Sequence, residues 1–134
     1  MVNPRTKGAN AEREAAAWLQ QKLNLEHTPQ RNLEQVRFKG TGRIQQGQDL
    51  VGIAPFCIEI KRQEKLSLKA WWLQCVFAAK RMPGTIPVVM YRQNNKQWQF
   101  LISAKYCGIQ SGYVHLETKM GINWMLQILK QASE

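Results

Sequence analysis

The sequence predicts an α/β fold, a small mixed β-sheet flanked by helices. Three observations predict it. Helix-forming stretches with apolar residues at helical spacing lie near the start, the middle and the end of the chain. Between them are short runs rich in Ile, Val, Phe and Cys, bounded by Gly, Pro and Asn. The resulting order is helix, strands, helix, strands, helix, without the many parallel units of a doubly wound sheet.

Taken in order, residues 1–6 read as a loose basic arm, and a helix begins near Lys7 or Gly8. Strong helix formers fill residues 10–23, with Ala11, Ala15, Trp18, Leu19 and Leu23 on one apolar face and Asn24 at the end. Residues 25–32 read as a short edge strand whose pairing Pro29 limits. Residues 31–48 carry Gly40, Gly42 and Gly47 with Arg31, Arg37, Lys39 and Arg43 against one acid, Glu34; they read as a mobile basic loop or a splayed hairpin. Two apolar runs, 49–54 and 56–61, turn tightly at Ala54-Pro55 and suggest an antiparallel hairpin. A second helix over 68–81 places Trp71, Trp72, Cys75, Val76 and Ala79 inward, and Pro83-Gly84 breaks it. Trp71 and Trp72 read as core or dimer contacts before base-stacking groups. Residues 86–91 form a buried strand, Asn94-Asn95-Lys96 a turn, and 97–102 the next strand. A last helix over 121–131 presents Ile122, Met125, Leu126 and Leu129.

A length of 134 residues fits one domain spanning 1–134, and 44% hydrophobic residues can build a core that a disordered chain could not. The formal net charge of +10 calls for a polyanion: nucleic acid first, an anionic membrane surface as the rival. No stretch has the apolar length of a membrane span, and no apolar segment follows the basic N-terminus as in a secretory signal, so the cytoplasm is the expected location. Three cysteines without a CxxC argue against both a disulfide framework and zinc; Cys57 and Cys75, in apolar runs, read as small core residues. His27 and His115 belong to no motif and read as surface or structural groups.

The chemistry concentrates elsewhere. Asp49 is the one aspartate among nine acidic residues, and it opens an apolar run. Ten positions on comes Glu59-Ile60-Lys61, where strand alternation puts Glu59 and Lys61 on one side. Charged groups in so apolar a strand need partners, and Asp49 on the neighbouring strand can converge with Glu59. Adjacent carboxylates repel; a divalent cation such as magnesium, which favours carboxylates and water, relieves that repulsion. Such an ion activates water and stabilises phosphoryl charge, with Lys61 placed to assist. Read singly, Glu59 and Lys61 could be an exposed ion pair, Asp49 a turn residue, and Glu12 and Glu14 helix-dipole acids, the reading preferred for Glu14.

Asp49 followed by Glu59-x-Lys61, after a helix bearing Glu12, resembles the PD-(D/E)XK nuclease superfamily. Lys7-Gly8-Ala9-Asn10-Ala11-Glu12-Arg13-Glu14 resembles the opening K-G-x-x-x-E-R-E helix of archaeal-type Holliday junction resolvases. The resemblance implies a restriction-endonuclease-like fold and a magnesium-dependent endodeoxyribonuclease, with manganese an acceptable replacement. It implies action on four-way junctions or other branched DNA, as a homodimer, in recombination or repair within a bacterial, archaeal or phage-infected cell. Glu12, Asp49, Glu59 and Lys61 take the catalytic positions, the three carboxylates as metal ligands. Arg13 and Arg31 match family arginines. The chain departs from the pattern at Gln48, where proline is usual, and in a longer segment between Arg31 and Asp49; these bear on DNA geometry more than on chemistry. Gln74 stands where related nucleases often place a polar residue near the metal, although a plain solvent-facing glutamine is the preferred reading.

The expected phosphate contacts are Lys7, Arg13, Arg31, Arg37, Lys39, Arg43 and Arg62, sequence-independent and salt-sensitive. Two alternatives remain beside the resolvase: a restriction-like, nicking or repair nuclease of the same fold, and a non-catalytic DNA-binding module. A membrane-surface protein is a further rival, and no basic amphipathic helix favours it.

Overall fold

The computed structural model describes residues 4–32 and 49–133, with side chains from residue 7 onward. Helix α1 (Pro4–Leu23) starts on a proline, whose missing N–H would have no helical partner at that position anyway. The helix therefore takes in residues 4–6 of the expected basic arm. Ala11, Ala15, Leu19 and Leu23 are buried as the spacing predicts, joined by Ala16, while Trp18 is partly covered.

Strand β1 (Gln30–Arg31) pairs antiparallel with β2 (Leu50–Val51), Arg31 opposite Leu50. After a turn the chain enters β3 (Phe56–Arg62), then helix α2 (Leu68–Lys80) and β4 (Ile86–Arg92). Strands β3 and β4 lie parallel in register from Phe56↔Ile86 to Arg62↔Arg92, and α2 supplies the crossover that a parallel pair requires. Strand β5 (Gln99–Ser103), a 3-10 turn (Ala104–Cys107) and β6 (Tyr113–Leu116) extend the sheet antiparallel in the order β3-β4-β5-β6. Helix α3 (Thr118–Ala132) closes the described chain.

Three expectations need correction. The runs 49–54 and 56–61 are not a regular hairpin, because β2 takes its ladder partner from β1. The Asp49 side chain, not a backbone carbonyl, receives the Ile60 N–H, so no backbone ladder continues there. Strand β6 was not anticipated; all four of its residues are partly or fully exposed, and an edge strand so placed carries a weak apolar signature. Leu126 is 40% exposed, since the face of α3 turned to the sheet runs through Gly121 and Met125, with Ile122 and Leu129 partly covered.

Two apolar layers enclose the sheet. On one side, α1 and α3 cover Phe56, Ile58, Ile60, Val88, Met90 and Phe100. On the other, Trp71, Trp72 and Cys75 of α2 cover Val89, Tyr91 and Leu101. Trp71 and Trp72 are thus core residues, tilted against Tyr91 and Tyr113 at 5.7 and 6.0 Å. α3 rests on β5 at Gly121, where an added Cβ would fall 2.1 Å from Phe100 Cδ1. Gly121→Ala is therefore expected to cost about 1–3 kcal/mol through overpacking. A thermal midpoint equal to wild type would contradict that close approach.

Cys57 and Cys75 are fully buried and Cys107 is exposed. One fast-reacting thiol per native chain is expected with an aromatic disulfide reagent, and three after denaturation. Two fast thiols in the native state would contradict the packing of α2 on β3. Among the described residues no helix is long and apolar enough to cross a membrane.

Candidate active site

Strand alternation sorts β3 into two sides. Phe56, Ile58 and Ile60 enter the core beneath α1, while Cys57 lies against Cys75 of α2, so Glu59 and Lys61 share the α2 side. Asp49 docks on the outer edge of the same strand. Its backbone N–H donates to Ile58 O at 2.8 Å, and its Oδ2 accepts from Ile60 N at 2.7 Å. These two bonds bracket Glu59 and bring the two side chains into hydrogen-bonding contact.

Both carboxylates are buried, Asp49 at 5% and Glu59 at 2% exposure. Burial is the main cause that holds the Glu59 carboxyl well above the usual carboxylate range; the charge of Asp49 adds to it, and the Lys61 ammonium acts in the opposite sense. A buried pair of acids facing one another, with one lysine beside them, is a donor set that suits a hard divalent cation retaining part of its water.

Glu12 lies midway along α1 at 7% exposure and accepts from Arg31 Nε at 2.7 Å. Arg31 belongs to β1, and the next residue donates its backbone N–H (Asn32) to Asp49 O at 2.9 Å. Glu12 is thereby tied to the strand pair that carries Asp49. Among the described residues no three His, Cys, Asp or Glu side chains stand close enough to hold one ion. The expected trio is assembled as a contacting pair, Asp49 and Glu59, with Glu12 bound to Arg31.

The other expected residues divide. Lys7 and Arg13 are exposed on α1, Arg13 Nη1 donating to Asn10 Oδ1 at 3.3 Å. Arg13 and Arg31 line a groove of about 740 Å³ between α1 and the β1–β2 pair. Arg62 is engaged within the fold, by Glu14 and Asn94. Arg37, Lys39 and Arg43, and the loop expected around them, lie outside the described residues. Gln74 is exposed on α2, one residue from Cys75. His27 is exposed beside Glu26, and His115 Nε2 is 2.9 Å from Gln99 Oε1, as structural groups would be.

Sequence reasoning missed one cluster. Glu14 is not a first-turn acid, because α1 begins at Pro4; it bridges Arg62 and Arg92. The available signal was that two apolar strand runs each end in an arginine.

A parallel β3–β4 pair under α2, with an edge aspartate meeting the Glu-x-Lys of β3, defines a class: small α/β nucleases of restriction-endonuclease-like fold. The chain belongs to the family described as Phage putative PDDEXK endonuclease, which matches residues 3–130. No curated protein matches it. Membership carries DNA as the substrate, and nucleases of this kind generally use divalent metals.

Proposed function

We propose that this chain is a magnesium-dependent endodeoxyribonuclease that nicks four-way junctions and related branched DNA as a homodimer. The observation that carries it is the buried Asp49–Glu59 contact with Lys61 one strand period beyond. Junction preference is supported by the Lys7–Glu14 resemblance to the resolvase opening helix, and symmetric paired nicks require two sites, hence a dimer.

Asp49 and Glu59 would hold the ion, and Glu12, which Arg31 holds apart from that pair in this structure, would join them as the third carboxylate only after a shift of its side chain. When bound, such an ion lowers the pKa of a coordinated water and stabilises charge on a phosphoryl oxygen. The chain's own groups do the rest. The bond from Ile60 N fixes one Asp49 oxygen and leaves the other to turn inward. Arg31 fixes the Glu12 carboxylate by its Nε–H. Lys61, on the Glu59 side, donates hydrogen bonds that orient the attacking water and stabilise the developing charge. Lys7 and Arg13 receive backbone phosphates, as do Arg37, Lys39 and Arg43.

The test is cleavage of a synthetic four-way junction beside matched linear duplex and single strands, in magnesium, in manganese and in EDTA. Paired nicks confined to the junction, absent in EDTA and in Glu59→Gln, are expected. Equal cutting of linear duplex would retain a nuclease and remove the junction preference. Tight binding without cutting in either metal would favour a non-catalytic DNA-binding module.

A further inference from the structure

We infer that Arg62 and Arg92, braced by Glu14, form a second anion site that takes a backbone phosphodiester of the bound DNA strand, away from the scissile bond; this rests on the nuclease reading above.

The two arginines are register partners at the last position of the parallel strands β3 and β4. Glu14 reaches them from α1. Its Oε2 accepts from Arg62 Nη1 at 3.3 Å, and its Oε1 accepts from Arg92 Nη1. Arg62 Nη2 donates to Asn94 Oδ1 at 3.2 Å and Arg92 Nε to Lys96 O at 2.7 Å, so both guanidinium planes are held from a second direction. The nearby Glu64 carboxylate is occupied by the Asn94 N–H at 2.6 Å. One carboxylate between two guanidiniums leaves positive charge in excess. Among the described residues Arg62 Nε is buried with no hydrogen-bond acceptor. The side chains are 27% and 28% exposed, so an anion can reach them. A groove of about 390 Å³ opens against Arg92 and Glu14, lined also by Lys96, Trp18 and Trp98.

Position sets this pair apart from the acidic pair: Arg62 shares the α1 side of β3 with Ile58 and Ile60 and meets Glu14 there, whereas Glu59 faces α2. Arg62 lies three residues beyond Glu59, about 10 Å along β3 at ~3.3 Å per residue, so DNA would reach it around the strand end. Paired guanidinium donors match a phosphodiester's two free oxygens. A plain structural clamp, fastening α1 to the strand ends, would need only Glu14 and would not alter DNA affinity in the folded protein.

The test is fluorescence anisotropy of labelled four-way junction and linear duplex in EDTA, so that nothing is cut, over about 50–200 mM salt. Wild type, Arg92→Gln, Glu14→Gln and Lys80→Gln are compared, each with a melting curve. Lys80 ends α2, at the opposite end of the strands from Arg92, and controls for net charge. Removing one phosphate contact should make Arg92→Gln lose about threefold less affinity than wild type across that salt range. Lys80→Gln should keep the wild-type slope, and Glu14→Gln should bind more tightly than wild type. A slope for Arg92→Gln equal to that of Lys80→Gln, or lowered melting with unchanged affinity in both cluster variants, would overturn the site. Should Arg92→Gln not fold, Arg92→Lys keeps the charge beside Glu14 and loses the planar fork; affinity equal to wild type would then overturn it. If wild type binds no DNA, the nuclease reading falls and takes this site with it. If wild type binds and cuts while the slopes coincide, only this site falls.

Discussion

Lys61→Ala is expected to lower the single-turnover rate of phosphodiester cleavage by about 10²–10³-fold, the usual consequence of deleting one preorganised donor at a site of developing charge. Lys61 follows Glu59 by one strand period and stays partly exposed, so the variant should fold normally. Its main-chain pairing with Tyr91 does not depend on the side chain. DNA affinity should therefore change only a few-fold, the loss of one phosphate-range charge. Single-turnover rates at saturating metal, set beside anisotropy titrations, separate the two effects. A rate within tenfold of wild type would remove Lys61 from the chemistry, and a parallel collapse of binding and melting would make it structural.

Glu59→Gln is expected to abolish cleavage and at the same time to stabilise the metal-free protein at neutral pH. The carboxyl of Glu59 is held well above its ordinary value of 4.5, so the folded state binds this proton more tightly than the unfolded state does. The contribution of Glu59 to stability is therefore fully present below about 4.5, and it is lost as pH climbs through the raised folded value. Glutamine keeps the shape and has no charge to lose. At pH 7 the metal-free variant should exceed wild type by about 1–3 kcal/mol, the scale of one uncompensated buried polar group. The difference should vanish in acid. Magnesium should raise the wild-type unfolding free energy by about 2.7 kcal/mol at a hundred times its Kd, and leave the variant nearly unmoved. Denaturant titrations at several pH values, with and without magnesium, check all three. A variant less stable than wild type at pH 7, or an equal magnesium response in both, would contradict the pairing of charge and metal at this position.

Much of the fold was legible because the long elements repeat their apolar residues at the right period. α2 ends within a residue of its expected boundary, and β4 likewise. The acidic pair was legible too: Asp49 and Glu59 meet because a short turn returns the chain along β3. What was not legible depends on partners distant in sequence. β2 looked like half of a hairpin, yet its ladder goes to β1, a choice that no local pattern in 49–54 encodes. Leu126 was assigned inward by spacing alone, but only contact with the sheet decides which flank of α3 is covered. Glu14 read as a dipole acid because its arginines stand 48 and 78 residues away.

The way Asp49 is docked has a consequence for solubility. Among the described residues β3 is one of the two outer strands of the four-stranded sheet, and an outer strand with open N–H and C=O groups is a template on which other chains can pair. Asp49 closes part of that template by itself: its amide takes the Ile58 carbonyl and its carboxylate takes the Ile60 N–H. One residue is both a ligand candidate and the seam that keeps the sheet from growing. Asp49→Ala would open the seam and invite intermolecular strand pairing, so that lost activity could reflect clumping instead of chemistry. Asp49→Asn keeps an oxygen for the Ile60 N–H while removing the charge. It is the substitution that separates the two duties, and light scattering of the two variants side by side would show the difference before any DNA is added.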